Sequence, residues 1–173
     1  MLQSDAEGIR CTCGARPKAV RPVRTAPYPG FPTDAQAILM AALLRSRGTS
    51  VFEENIFENR YRHVDELARM GAKIRVSGRT AVVSGVERLH GAAVRCTDLR
   101  GGAALCVAAL AAEGETRVDA LRHIDRGYED LARDLTDLGA DAGRRWKDTE
   151  NWSEEHGKTE KSTAETERFR TAL

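Results

Sequence analysis

The hydrophobic positions of this chain follow an alternation of helices and strands. Residues 35–45 are apolar on almost every side of a predicted helix, so we expect that helix to be buried. A short strand is predicted at 49–53 and a second helix at 64–70. Residues 73–77 and 80–84 flank a Gly-Arg pair, and the alternation along the first of them predicts a β-hairpin. This half of the chain therefore predicts helices packed against a sheet.

The same order of elements begins again in the second half. Its predicted elements are a strand at 92–96, a helix capped by Asp98 and running to 112, a strand at 115–118 and a helix at 128–138. A Gly-Ala pair follows the second helix in both halves, at Gly71 and at Gly139. Arg60 and Arg126 also occupy equivalent loops. The chain thus predicts an internal repeat of roughly 65–70 residues with the order β-α-β-α-β-β.

The repeat sets the predicted boundaries and an α/β fold class. Residues 1–18 form the end of an incomplete first repeat, 19–90 and 91–146 are repeat units, and 147–173 form a polar tail. Within the first segments, short strands are predicted at 8–13 and 19–24. The tail is rich in charged residues, Ser and Thr, so we expect it to be disordered, with a terminal helix near 163–170 as the alternative.

The net charge and the hydropathy of the chain argue against some classes of binding partner. A formal net charge of +1 argues against a protein that binds nucleic acid or a membrane surface through bulk charge. The longest uncharged run, 101–112, is shorter than the roughly 20 residues that a membrane span needs. The N-terminus lacks the basic start and apolar core of a signal peptide. We therefore expect a cytoplasmic protein.

The cysteines and histidines predict no metal site and no cofactor. Cys11 and Cys13 have no second close pair, so a four-ligand zinc site is not expected. Cys96 and Cys106 lie in apolar surroundings that are typical of small core residues. The four histidines are scattered, and for His123 packing or a loop hydrogen bond is favoured over catalysis.

A stiff loop precedes the first helix. Three prolines restrict the backbone of residues 24–34, which also contain one glycine, so the loop loses little entropy on ordering. Thr33 and Asp34 stand at the helix boundary, which is a signal for an N-cap. Asp34 is therefore either an ordinary cap or a carboxylate held for chemistry at the positive end of the helix dipole. Spacing alone favours the cap.

Four motifs resemble segments of the UDP-N-acetylglucosamine enolpyruvyl transferases. They are Pro-Gly-Phe-Pro-Thr-Asp at 29–34, Glu-Asn-Ile-Phe-Glu-Asn-Arg at 54–60, Thr-Asp-Leu-Arg at 97–100 and His-Ile-Asp-Arg-Gly-Tyr-Glu at 123–129. Their order and spacing extend the resemblance over about residues 17–143. The resemblance implies a partial inside-out α/β barrel, with two repeats plus the end of a third. It also implies that a companion domain is missing, and with it half of the active-site cleft.

The resemblance implies roles for individual residues. Members of the family transfer the enolpyruvyl group of phosphoenolpyruvate to the 3′-hydroxyl of UDP-N-acetylglucosamine and release phosphate, which opens peptidoglycan synthesis. Asp34 would hold the sugar and take the hydroxyl proton. Arg100 and Arg126 would hold the phosphate and carboxylate groups, which suit guanidinium forks. Ile56 and Phe57 would line the nucleotide-sugar site.

The residues leave several alternatives open. The two arginines could instead form surface ion pairs with nearby acids such as Asp98, Asp125 or Glu129. The substrate could be that of the related shikimate 3-phosphate transferase, or the chain could be a non-catalytic remnant that binds a nucleotide sugar or a partner. Cys11 superficially resembles the family's cysteine loop, but the sequence that follows belongs to the strand before Asp34. We expect the isolated chain to be inactive, and three origins fit it: a fragment, a truncated gene, or one half of a split enzyme whose N-terminal domain is separately encoded.

Overall fold

The computed structural model describes residues 2–6, 8–12, 15–146 and 165–170. The helices are α1 (Thr33–Leu43), α2 (Val64–Arg69), α3 (Leu99–Ala109) and α4 (Leu131–Asp137), with a 3₁₀ turn at Leu121–His123. The strands are β1 (Leu2–Ser4), β2 (Ile9–Cys11), β3 (Val23–Arg24), β4 (Thr49–Glu53), β5 (Lys73–Ser77), β6 (Thr80–Ser84), β7 (Leu89–His90), β8 (Ala93–Arg95), β9 (Ala112–Glu113), β10 (Glu115–Asp119), β11 (Asp141–Trp146) and β12 (Glu165–Arg170). The described chain is thus mixed α/β.

Two four-stranded sheets share one plan. The first has the order β3-β4-β6-β5 and the second the order β8-β10-β12-β11. In each sheet the first two strands are parallel, and the remaining neighbours are antiparallel. We call the elements from β3 to β6 the first unit and those from β8 to β12 the second unit. The order β-α-β-α-β-β predicted from the sequence is the order of the main elements in both units.

The prediction for the end of the chain is wrong at residues 165–170. This segment was expected to be disordered or helical, but it is the strand β12, which lies between β10 and β11. It pairs along five residues of β10 and along all six of β11, so its backbone can hydrogen-bond on both sides. A polar composition does not reveal such a strand, because the backbone supplies the pairing. Residues 147–164 and 171–173 of the predicted tail lie outside the described residues.

Several predicted boundaries also shift. The strand expected at 19–24 is confined to β3, and the helix expected at 99–112 ends at Ala109 because β9 pairs with β7. The helix expected from 128 begins at Leu131, after Asp130 accepts a hydrogen bond of 3.0 Å from the backbone N–H of Arg133. Of the strand expected at 8–13, only β2 forms within the described residues, and Cys13 lies outside them.

The Gly-Ala pairs that signalled the repeat are helix stops in both units. Gly71 and Gly139 have φ angles of 89° and 94°, values that favour glycine. In each case the glycine N–H and the next N–H bond back to carbonyls of the preceding helix. The two glycines therefore send α2 into β5 and α4 into β11 through the same turn.

Helices α1 and α3 pack side by side over the sheets. The two helices contact each other, and their buried residues are mostly small and apolar, including Ala37, Met40 and Ala41 on α1 and Ala104, Leu105 and Ala108 on α3. Cys96 and Cys106 are buried in the same core, as their apolar surroundings predict. The described helices are all too short or too polar to cross a membrane. The side-by-side packing brings the first turns of α1 and α3 together.

Candidate active site

Asp34 lies in the first turn of α1 between two arginines. Its Oδ1 accepts a hydrogen bond of 2.7 Å from Nη2 of Arg60, and its Oδ2 accepts one of 2.9 Å from Nη2 of Arg100. The helix begins after Pro32, and no side chain caps it. The interpretation of Asp34 as an ordinary cap is therefore wrong. Its carboxylate is 57% exposed, so it is held by two guanidinium groups and still faces solvent.

The arginines determine the charge state of Asp34. The hydrogen bond from Arg100 is the largest influence and lowers the pKa of Asp34, while burial opposes it and Arg60 adds to it. The net pKa lies below its ordinary value. The position in the first turn of a helix also favours a negative charge. Asp34 is therefore a carboxylate at neutral pH.

Arg100 lies at the start of α3, where its positive charge is at the positive end of the helix dipole. Asp98 caps this helix by accepting a hydrogen bond of 2.8 Å from the backbone N–H of Gly101. A cation in the first turn is unfavourable for the dipole, so the helix itself gives no reason for an arginine there. Asp34 is the main cause that raises the pKa of Arg100, and the hydroxyl of Tyr128 adds to it. Arg100 pairs with Asp34 across the two units and not with its neighbour Asp98.

Arg126 makes no ion pair within the part of the chain that the structure describes. Its neighbour Gly127 packs against Leu99, the first residue of α3, where an added Cβ would lie 2.6 Å from a Leu99 methyl carbon. The next residue, Tyr128, reaches Arg100. The exposed Arg126 is therefore flanked by two residues that contact the first turn of α3. None of the described contacts joins it to Asp34.

Ile56 and Phe57 form an exposed apolar ledge next to Arg60. They are 40% and 48% exposed and adjacent in the sequence, so together they present apolar surface to solvent. The Arg60 guanidinium lies 5.0 Å from the centroid of the Phe57 ring, within cation–π range. The structure thus brings Phe57, Arg60 and Asp34 together in one chain of contacts.

Sequence reasoning assigned no site role to Arg60 or to Glu54. Arg60 ends the motif at 54–60, and its equivalence to Arg126 was the signal that could have marked it. Glu54 is 1% exposed, and it accepts hydrogen bonds from two threonine hydroxyls and two backbone amides. A buried glutamate in a polar motif gives no sign of its burial in the sequence.

The remaining candidates contribute less. Among the described residues, no group of three or more His, Cys, Asp or Glu side chains is arranged to hold a metal ion. The side chains of Cys11 and Cys13 lie outside what the structure describes. The sequence neighbours of Arg60 line a cavity of about 420 Å³. Its wall includes Glu58, Asn59, Arg62, Asp65 and Thr97.

Comparison with solved structures identifies the class of protein. The crystal structure of the enolpyruvyl transferase NikO from Streptomyces tendae matches with a TM-score of 0.73 and 30% identity. The match covers 82% of this chain and 33% of NikO. An EPSP synthase from Acinetobacter baumannii, at 18% identity and a TM-score of 0.56, shares the fold. The chain therefore has the fold of the enolpyruvyl transferases.

Comparison of sequences identifies the family. The sequence profile of EPSP synthase (3-phosphoshikimate 1-carboxyvinyltransferase) matches residues 2–135. A UDP-N-acetylglucosamine 1-carboxyvinyltransferase from Desulfofundulus thermocisternus is 62% identical over 125 residues, which are 72% of this chain and 50% of that protein. A protein of the same name from Symbiobacterium thermophilum is 55% identical over 135 residues, 78% of this chain and 32% of that one. This chain belongs to the EPSP synthase family of enolpyruvyl transferases.

Family membership confirms the resemblance seen in the four motifs, including its relation to the UDP-N-acetylglucosamine enzymes. The chain spans only about a third to a half of the length of these curated relatives.

Proposed function

We propose that this chain supplies part of the active site of a cytoplasmic UDP-N-acetylglucosamine enolpyruvyl transferase. The reaction would move the enolpyruvyl group of phosphoenolpyruvate to the sugar 3′-hydroxyl and release phosphate, the first committed step of peptidoglycan synthesis. The observation that carries the proposal is the Asp34 carboxylate, exposed and ionised between Arg60 and Arg100. No cofactor is needed, because phosphoenolpyruvate is an enol phosphate: its CH2 carbon takes a proton as the sugar oxygen bonds to C2, and the departure of phosphate together with a methyl proton then restores the double bond.

Asp34 would act as the base that accepts the hydroxyl proton while the sugar oxygen bonds to phosphoenolpyruvate. A carboxylate whose pKa is lowered by two arginines is ready to accept a proton but is a weak base. An incoming phosphate or carboxylate competes with Asp34 for Arg100. If that anion draws Arg100 away, the pKa of Asp34 rises and the carboxylate becomes a stronger base. Binding of phosphoenolpyruvate would thus activate the base.

Arg100 and Arg126 would hold the two anionic groups of phosphoenolpyruvate. Arg126 is exposed beside the first turn of α3 and has no ion-pair partner among the described residues, so its guanidinium is available to an anion. Guanidinium groups bind phosphate and carboxylate through paired hydrogen bonds. The ledge of Ile56 and Phe57 would contact the nucleotide sugar, because it borders Arg60 and exposes apolar surface.

The rest of the active site would come from a second polypeptide segment. The β1–β2 hairpin precedes the first unit as the β5–β6 hairpin precedes the second, which supports two repeats plus the end of a third in a partial inside-out barrel. The part of the enzyme that the curated relatives have outside the matched region would complete the cleft. We therefore expect the isolated chain to bind the nucleotide sugar weakly and to show no turnover.

The test is to mix this chain with the part of the Symbiobacterium thermophilum relative that lies outside the match, which is about two thirds of that protein. Phosphate release from phosphoenolpyruvate should require both pieces and UDP-N-acetylglucosamine. Asp34→Asn should lower that rate by about 100-fold or more, because the base is removed. Turnover by this chain alone would contradict the expected division of the site. A preference for shikimate 3-phosphate in the same assay would assign the chain to the related transferase, and ligand binding without turnover in the mixture would indicate a non-catalytic remnant.

A further inference from the structure

Glu54 is a buried carboxylate that joins three segments of the first unit. It directly follows β4 and is 1% exposed. Its Oε1 accepts hydrogen bonds from Oγ1 of Thr25 at 2.9 Å and from the backbone N–H groups of Ile56 and Phe57 at 2.8 and 3.0 Å. Its Oε2 accepts one of 2.9 Å from Oγ1 of Thr33. One side chain thus connects the end of β3, the start of α1 and the apolar ledge.

The contacts of Glu54 lead directly to the candidate site. Thr33 is the residue before Asp34, so the bond at Oε2 fixes the turn of α1 that carries the base. The amides at Oε1 belong to the two ledge residues themselves. Thr25 also accepts a hydrogen bond of 2.8 Å from the backbone N–H of Asn55, which ties the ledge to β3 a second time. The position of Asp34 relative to Ile56 and Phe57 therefore depends on this carboxylate.

The second unit shows that the fold does not require such a carboxylate. Ala120 directly follows β10 and so takes the place of Glu54, while Leu99, the first residue of α3, takes the place of Thr33. Cys96 directly follows β8, as Thr25 directly follows β3. The second unit forms the same sheet order with these apolar or weakly polar residues. Burying a charge is costly, so its presence in the first unit alone needs a reason other than folding.

We propose that Glu54 is a positioning residue, which sets the Asp34 carboxylate at a fixed distance from the nucleotide-sugar ledge of Ile56 and Phe57. This inference rests on the proposed function, since it assumes that base and ledge act on one substrate. Glu54 touches neither substrate nor proton in this role. It acts through Thr33 on the base and through two amides on the ledge.

The protonation of Glu54 is consistent with an acceptor of four hydrogen bonds. Burial alone raises its pKa, but the hydrogen bonds from Phe57, Ile56, Thr33 and Thr25 together outweigh burial, so the net pKa lies below its ordinary value. Glu54 is therefore a carboxylate at neutral pH. Its two oxygens can then accept all four bonds at once.

The experiment compares Glu54→Ala, Glu54→Gln and Glu53→Ala in the whole 173-residue chain. Glu53 is the matched control, because it is the adjacent glutamate but forms an exposed ion pair with Arg24. Two readouts by nuclear magnetic resonance apply to each variant. One is amide hydrogen exchange at Ile56 and Phe57, and the other is the affinity for UDP-N-acetylglucosamine by titration.

We expect Glu54→Ala to speed exchange at Ile56 and Phe57 by about 100-fold and to weaken UDP-N-acetylglucosamine binding by about tenfold. Glu54→Gln keeps one oxygen for the amides and can donate to Thr33. This variant should therefore retain most of the exchange protection and most of the affinity. Glu53→Ala should change neither. An unchanged affinity in a folded Glu54→Ala chain would overturn the proposal.

A second variant keeps the proposal testable if Glu54→Ala fails to fold. Thr33→Val removes only the bond to the start of α1, and it should shift the carbon resonance of the Asp34 carboxyl and its titration midpoint while exchange at Ile56 stays unchanged. Thr33→Ser, which keeps the hydroxyl that bonds to Glu54, is the matched control and should leave the titration midpoint of Asp34 unaffected. If the unsubstituted chain does not bind UDP-N-acetylglucosamine, the proposed function fails for this chain. The carboxyl carbon resonance of Asp34 then still tests the positioning role of Glu54. A shift of this resonance in Thr33→Val supports that role, and no shift overturns it.

Discussion

The two units place opposite charges at one position of the same fold. Asp34 is the second residue of α1 and Arg100 is the second residue of α3, and they form an ion pair of 2.9 Å where the two helices meet. The second unit caps both of its helices with aspartates, Asp98 and Asp130. The first unit caps neither, since α1 follows Pro32 and α2 follows His63 without a side-chain cap. The first unit thus lacks the usual side-chain cap at the start of the helix that carries Asp34.

The units differ again in how the last two strands are joined. In the first unit only Gly78 and Arg79 separate β5 from β6. In the second unit residues 147–164 separate β11 from β12. Both final strands nevertheless lie between their two partners in the sheet. The position in the sheet is therefore set by pairing along the strand and not by the length of the connection.

Deleting residues 147–173 should lower stability more than any single substitution in the second unit. It removes β12 and leaves β10 and β11 with unpaired edges, because those two strands contact each other only through β12 among the described pairings. We expect the melting temperature to fall by about 10 °C or more, with loss of a single cooperative transition. Circular dichroism during heating measures both.

Two controls separate loss of the strand from loss of chain. Deletion of residues 171–173 alone should leave melting unchanged. Replacing Thr166 and Arg168 by proline in the full chain should reproduce most of the deletion, since proline cannot donate to the ladder. If the proline variant melts like the parent chain, the pairing of β12 with β10 and β11 does not stabilise the second unit.

Much of this fold follows from the sequence because its signals are local. The Gly-Arg turn and the alternation along the first arm predicted the β5–β6 hairpin with its observed bounds, and Gly71 and Gly139 marked the same helix stop twice. The strand β12 could not be predicted, because its stability depends on partners distant in the sequence. The candidate site likewise combines residues that local motifs predicted with contacts that depend on distant parts of the chain. The motifs pointed to Asp34 and Arg100, but the contact of Arg60 with Asp34 depends on how the first unit folds.

Exchanging the charges of the ion pair between Asp34 and Arg100 should lower the rate of turnover far more than the stability. Asp34→Arg together with Arg100→Asp preserves an attraction between the first turns of α1 and α3, but it replaces the ion pair of Asp34 with Arg60 by a repulsion. Because a partly exposed pair contributes about 0–1 kcal/mol and a like-charge pair costs a similar amount, we expect the free energy of unfolding in urea to fall by about 1–2 kcal/mol. Phosphate release in the two-piece mixture should fall by about 100-fold or more, since the base has moved to the second unit. Retained turnover would mean that either position can hold the base.

Acid should destabilise the first unit through His63, which begins α2 in the place where the second unit has a capping aspartate. Burial lowers the pKa of His63 to about 4, from 6.5 for an exposed histidine, while Asp98 raises it and Arg60 lowers it further. The unfolded chain binds the proton more readily, so stability is full above pH 6.5 and is lost as the pH falls through 4. The loss should approach about 3 kcal/mol.

Measuring the free energy of unfolding in urea between about pH 7 and pH 4 tests this expectation. His63→Asn should flatten the curve in that window, and His90→Asn, which changes an exposed histidine, should not. Asp34 and Glu54 have lowered pKa values, so their contributions are lost below the ordinary range of carboxyl groups, at lower pH than most of the His63 effect. A curve that His63→Asn leaves unaltered would show that another group titrates.

The smallest expected effect lies at Ala120, which occupies the place of Glu54 in the second unit. Ala120 has φ 64° and ψ 43°, a left-handed conformation that costs a side chain about 1 kcal/mol or more. Ala120→Gly removes that strain but makes the unfolded chain more flexible, so the net stabilisation should be below about 1 kcal/mol. Ala93→Gly, at an exposed position of β8 with an ordinary backbone, should instead destabilise by about 0.5–1 kcal/mol. Changes of opposite sign in the free energy of unfolding in urea would show that the backbone is strained at Ala120, where the chain leaves β10. The first unit has a buried carboxylate at the equivalent place. Equal destabilisation would mean that Ala120 is not strained.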